Sequence, residues 1–243
     1  MNKNPLVIIN NEKFFSEGGD FYCDNLVMKE LPEGLSNFHQ IQLVVRKAKK
    51  KGGNKIKLQN IKIARNIFVF IYFILRTLKN KKSNYLLVDI TPYTFFSFLI
   101  LFIFRKKIFL YLRSSGHEEW RHILGSWSVR IFHLMYRIVT SKSEVIVNNL
   151  RLYKDKKCHL INASRLDDLW FKEYKDPFLN KVKLLYVGRI NPEKGINDLI
   201  KILNQIKLDL DFSIAGDIKN YKIENKNIKL LGYISDPKLM IDT

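Results

Sequence analysis

The chain has 243 residues, 47% hydrophobic, 13% aromatic and 27% charged, with 11 Gly and 6 Pro. That composition excludes disordered, collagenous and low-complexity classes, because there is ample apolar surface to bury. Lys and Arg number 42 against 23 acids, a net charge of +19. Between Gly34 and His117 there are 17 Lys/Arg and a single acid, Asp89. So lopsided a segment expects an anionic partner, a lipid surface or a nucleic acid. Two cysteines, Cys23 and Cys158, build no disulfide framework and no zinc pattern, and the short apolar run at the start is no signal peptide, so a reduced, cytoplasmic protein is expected.

In chain order, short runs rich in Val, Ile, Leu and Tyr alternate with longer helical patterns, the pattern of a parallel α/β sheet with crossover helices. Strands are expected at 5–10, 38–45 and, more weakly, 55–60. A helix over 63–78 is followed by a strand at 85–90 and by a helix over 92–104, with Pro92 at its first position. Then come a strand at 107–113, one long helix from about His117 to Ser141, and strands at 144–149 and 158–163. The uncharged run Ile90–Phe104 is too short to span a bilayer, which takes roughly 18–20 residues.

KEYKDPFLNK (172–181) reads as a linker, dividing a domain over 1–175 from a second over 181–243. There the pattern restarts: strand 183–188, helix 195–206, strands 211–216 and 227–234. This second unit is expected to be incomplete, since it stops at Asp242-Thr243 where a helix should run.

Between the first strand and helix of the second unit lies GRINPEKG (Gly188–Gly195). Gly188 lets the backbone turn, Arg189 and Lys194 flank the turn, and the helix start offers free N–H groups to an anion such as phosphate. RSSGHEEW (113–120) follows a strand at the carboxyl end of the sheet, where open α/β folds bind ligands, and makes His117 a candidate. His39, His122, His133 and His159 have no comparable placement and read as structural. Gly18-Gly19 in SEGGD would allow close backbone approach to a ligand, or serve as a flexible turn.

LLYVGRINPEKGINDLI resembles the phosphate-binding segment of retaining glycosyltransferases of family 4, which have the twin-Rossmann (GT-B) architecture. LINASRLDDLWF (160–171), SIAGD (213–217) and NIKLLGYIS (227–235) resemble further segments of that family in the same order. The resemblance implies a nucleotide-diphosphate sugar as donor substrate, its diphosphate held by Arg189 and Lys194 and approached by Gly18-Gly19. The base would lie beside Tyr233 and Ile234, and His117 would act at the reacting centre. It implies no cofactor and no metal ion, and transfer with retention. The acceptor would be a lipid-linked saccharide in surface polysaccharide or lipopolysaccharide synthesis, with the basic first domain peripheral on the anionic inner face of the cytoplasmic membrane. The family's E-x7-E glutamate pair lies beyond this chain, so an inactive, truncated homologue is the alternative. A basic nucleic-acid-binding module is a remoter one, without helix-turn-helix, zinc-finger or RNP-type pattern, and no nucleic acid is expected as partner.

Overall fold

The computed structural model describes residues 3–153, 157–162, 168–174, 182–188, 190, 195–205, 210–217, 228–234 and 236–242. The chain forms two compact units, Met1–Ala163 and Ser164–Thr243. That division precedes the segment read as a linker, most of which lies outside the described residues.

In the first unit, β1 (Asn4–Glu17) pairs in parallel with β3 (His39–Lys47) on one side and β6 (Asn84–Val88) on the other. Outside β3 lies β5 (Ile61–Ala64); beyond β6 follow β7 (Ile108–Leu112), β8 (Glu144–Val147) and β9 (His159–Leu160), all parallel. The order runs outward in both directions from β1, so the chain reverses its direction of winding between β1 and β6. Ligands in open α/β sheets bind at the carboxyl ends beside such a switch point.

Alternation along the strands builds two cores, one per sheet face. Val7, Ile9, Tyr85, Leu87, Leu110 and Val147 face three helices, α2 (Ile67–Thr77), α3 (Pro92–Ile103) and α5 (Ser126–Thr140). Leu6, Ile8, Leu43, Leu86 and Tyr111 face the other way, towards Met28 of α1 (Leu26–Leu35). Each fully buried Ile, Leu or Phe adds about 1.5–3 kcal/mol relative to exposure.

Several elements differ from the sequence reading for definite reasons. β1 runs on past residue 10 and folds back through Gly18-Gly19 onto β2 (Asp20–Cys23), which pairs antiparallel with β4 (Asn54–Ile56). Both glycines have positive φ, +59° and +86°, the backbone a two-residue hairpin turn demands. The strand expected at 55–60 is therefore two short ones, β4 and β5, on different partners. The helix expected from 63 starts only at Ile67, because Ile61–Ala64 pair with β3 and the Asn66 side chain caps the helix at Val69. The long helix expected after His117 is two, α4 (Gly116–Leu124) and α5, broken at Gly125 with φ +89°. Pro92 opens α3 as expected, with Thr91 and Thr94 in a reciprocal capping box.

The second unit has a parallel sheet in the order β10 (Val182–Val187), β11 (Leu210–Ala215), β12 (Ile228–Gly232). Ile196, Leu199, Ile200 and Leu203 of α7 (Ile196–Gln205) pack with Phe212 and Ile214 of β11. Two short helices, α6 (Asp168–Lys172) and α8 (Pro237–Ile241), complete its described elements. The architecture is thus α/β, a Rossmann-like unit with a mostly parallel sheet followed by a second unit with a parallel sheet of its own.

Candidate functional site

A cavity of about 1040 Å³ opens at the switch point of the first unit. Its floor is made by the strand ends: Asn10 to Lys13 from β1, Val88 to Thr91 after β6, and Leu112 to Gly116 after β7. Pairing of β1 with β3 shifts register between Ile9 and Lys13, an irregularity at the cavity floor that re-aims Asn10, Asn11 and Glu12. The buried Asn10 amide lies against the Met28 sulfur, and its oxygen accepts from the Glu12 N–H at 2.8 Å.

Asp89 and Arg113 face each other across the ends of β6 and β7. The guanidinium donates to Asp89 Oδ2 from Nε at 2.8 Å and from a terminal nitrogen at 2.5 Å. The Arg113 backbone N–H donates to Oδ1 at 3.0 Å. Asp89 has φ +59°, a left-handed conformation that Asp tolerates better than most residues. Thr94 Oγ1 of α3 donates to its carbonyl at 2.9 Å, tying the strand end to the helix start. On the same rim, Arg46 donates to Asn11 Oδ1 at 3.1 Å and lies over the Tyr93 ring at 4.6 Å.

Opposite this polar floor stands an aromatic wall: Trp120, Phe132, Tyr136 and Tyr153. His117, in the first turn of α4, lines the cavity as anticipated. Its ring meets Phe132 edge-on at 4.7 Å between centroids, and Nε2 lies 3.4 Å from Nδ1 of His133. Burial, with smaller contributions from His133 and Arg121, pushes the His117 imidazole below its ordinary value, so the neutral form is favoured. Burial above all pushes Tyr136 up to about 12; its hydroxyl stays protonated and donates to Leu152 O at 2.7 Å. The arrangement suits a ligand with an apolar body and hydroxyl or anionic groups.

The sequence reading singled out His117 here but took His133 as structural; the structure makes it His117's neighbour. Asp89 had been noted only as a lone acid, and its position at a strand end, facing a β7-terminal Arg, was the available signal. Gly18 and Gly19 lie in the hairpin turn and do not line this cavity. Cys23 is buried, its thiol pushed up to about 11 by burial first and by Glu12 next.

In the second unit, Gly188, Gly216 and Gly232 end the three adjacent strands. Gly188 N–H donates to Ala215 O at 3.1 Å and Gly216 N–H to Gly232 O at 2.8 Å. A Cβ on Gly216 would collide with the Gly188 carbonyl oxygen, so position 216 is bare backbone by necessity. α7 starts beside the same loop, after Gly195 with φ +72°. Arg189 and Lys194 lie outside the described residues. Tyr233, exposed, and Ile234, half-buried, follow directly on β12.

No family model matches the chain. An uncharacterized ATP-binding protein of Methanocaldococcus jannaschii is 29% identical over 128 residues, a match covering 48% of this chain and 35% of that protein. The chain thus spans about a third of the curated relative it matches. Among solved structures, MurG of Acinetobacter baumannii superimposes with a TM-score of 0.55 at 12% identity, over 98% of this chain and 70% of that one. That likeness shows the GT-B type of fold. Arabidopsis thaliana UGT89C1 complexed with UDP-L-rhamnose aligns at 10% identity over 97% of this chain and 70% of that one, with a TM-score of 0.47.

Proposed function

We propose that this chain belongs to a glycosyltransferase that moves a sugar from a nucleotide-diphosphate donor to a saccharide acceptor. The observation that carries the reading is the bare glycine edge of the second unit. There a Cβ on Gly216 would collide with the Gly188 carbonyl oxygen, and Gly188 leads directly into Arg189 in the sequence. Backbone that bare admits a diphosphate, and the segment GRINPEKG supplies an Arg and a Lys to it.

In the proposed reaction the bond from the sugar C1 to the diphosphate oxygen breaks, and an acceptor hydroxyl oxygen forms the new bond to C1. The electron pair stays on the departing diphosphate, and the hydroxyl proton leaves with it or passes to solvent. Arg189, Lys194 and the α7 N–H groups stabilise that departing charge, the step on which preorganised electrostatics act most strongly. The acceptor occupies the cavity of the first unit, its hydroxyls hydrogen-bonded by neutral His117 and its apolar part against Trp120 and Tyr136. Tyr233 and Ile234 flank the base. In keeping with the family 4 resemblance, transfer retains the anomeric configuration without a metal ion. The acceptor is lipid-linked, in surface polysaccharide or lipopolysaccharide synthesis at the inner face of the cytoplasmic membrane.

Calorimetric titration with UDP, GDP and ATP, beside the Arg189→Ala/Lys194→Ala variant, tests the donor site. Binding of UDP or GDP that disappears in the variant supports the reading. Binding of ATP alone would point instead to the activity named for the methanogen relative, and binding of none would remove the donor site from this chain.

A further inference from the structure

The helices α2, α3 and α5 are apolar on more than the side that packs on the sheet. On α2, Phe70 and Ile74 are buried, while Phe68 and Tyr72 on the opposite side are exposed. On α3, Phe98 and Leu101 are buried, whereas Ile103 at the outer end is 73% exposed. On α5, Phe132 and Met135 enter the core, and a second stripe, Trp127, Ile131 and Leu134, stands in solvent, Trp127 at 64%. A surface helix in a soluble layer ordinarily shows water a polar face.

The charge on this layer is equally one-sided. None of the three helices contains Asp or Glu, and their exposed cations are Arg76, Arg130 and Arg137. Lys106 Nζ donates to Asn80 O at 3.1 Å, joining the loop after α3 to the loop after α2. Lys79, Lys81, Lys82, Arg105 and Lys106 therefore make one rim beside Ile103, while Lys107 pairs with Glu144 at 3.1 Å. A second copy of this chain would not fit such a face, because a two-fold contact would set acid-free surface against itself. Among the described residues no helix is long and apolar enough to cross a membrane.

We propose that the outer face of α2, α3 and α5 is the surface on which the protein lies on a bilayer containing anionic phospholipid. Phe68, Tyr72, Ile103 and the Trp127 stripe enter the headgroup boundary, and the arginines and the lysine rim pair with lipid phosphates. This deepens the membrane-side reading above and rests on it for its biological sense; the docking itself requires no transfer. It also gives the cavity an approach, since Ile123 and His133, both on the cavity wall, are exposed at the α4–α5 side of this layer. An acceptor anchored in the bilayer would reach His117 without leaving the surface.

Co-sedimentation of the full chain is measured with vesicles of phosphatidylcholine alone and with vesicles in which about a third of the lipid is phosphatidylglycerol. Expected is binding to the anionic vesicles, with a blue shift of tryptophan emission that is lost when Trp127 is replaced. Binding should weaken about tenfold or more in Arg130→Glu/Arg137→Glu and in Trp127→Ser/Ile131→Ser/Leu134→Ser. Lys49→Glu/Lys50→Glu, which changes the net charge equally on the loop after β3, should bind nearly as well as the parent chain. Circular dichroism melts establish that each variant folds. An equal loss in the Lys49/Lys50 variant, equal binding to neutral vesicles, or a soluble dimer that shields Trp127 would overturn the proposal. Vesicle binding without nucleotide binding would uphold docking while removing the transfer reading; nucleotide binding without vesicle binding would do the reverse.

Discussion

Asp89 accepts three hydrogen bonds from Arg113, two from the guanidinium and one from the backbone N–H, across the carboxyl ends of neighbouring strands. Both side chains are 22% exposed, so the pair is neither a solvated surface bridge nor a fully buried one. It fixes where β7 hands over to the short connection leading into α4 and His117.

Asp89→Asn keeps a residue that tolerates left-handed backbone and removes only the charge. We expect a loss of about 2 kcal/mol in urea unfolding, in the range for hydrogen bonds to charged groups. Arg113→Lys should cost a similar amount, because a lysine cannot reproduce the fork. No change in either variant would mean that the pair is decorative.

Gly116 begins α4 beside the Phe132 ring, where a Cβ would run into Cζ and Cε2. Gly116→Ala is expected to destabilise by about 1–3 kcal/mol through overpacking. Adding Phe132→Leu should recover part of that loss, a coupling that a double-mutant cycle reads directly. Simple additivity would show that Phe132 does not set the helix start.

The His117 imidazole titrates below its ordinary 6.5, chiefly because burial disfavours its charged form. Between the folded and unfolded values the unfolded chain holds more protons, so stability falls as pH drops through that window and is fully present above it. The thermal midpoint should decline from about pH 7.5 to about pH 5, and less steeply in His117→Asn. Parallel declines in the two proteins would assign the effect elsewhere.

Gly216→Ala places a methyl group against the Gly188 carbonyl. Since the second unit rests on a small core of Ile190, Ile196, Phe212 and Ile214, a cost of about 1–3 kcal/mol is large for it. Limited proteolysis should cut after residue 164 at lower temperature, with Met1–Ala163 surviving as a fragment. Cleavage spread evenly along the chain would count against independent units.

Much of the fold was readable from apolar runs bounded by turns. The strand positions of β6 and β7, and α3 with Pro92 at its start, depend on local pattern, and local pattern carries them. α1 was missed because Pro32 interrupts a short amphipathic run whose start is marked only by the Asn25 cap. The hairpin was missed because β1 changes partners midway, and a strand's partner is not a local property. The same limit governs the site. His117 stands out beside a strand end, but Asp89 with Arg113, and His117 with His133, become pairs only once sheet order and the break at Gly125 are known.

The position of β1 between strands from both halves of the first unit has a consequence for the growing chain. Leu6 pairs with Asn84, a residue made long after it, whereas α2 packs on β3 and β5, strands that precede it in the chain. Until β6 emerges, the edge of β1 that will meet it therefore stands open, its N–H and C=O groups without their ladder partners. The growing chain is exposed to edge pairing or chaperone capture along that strand until β6 is in place.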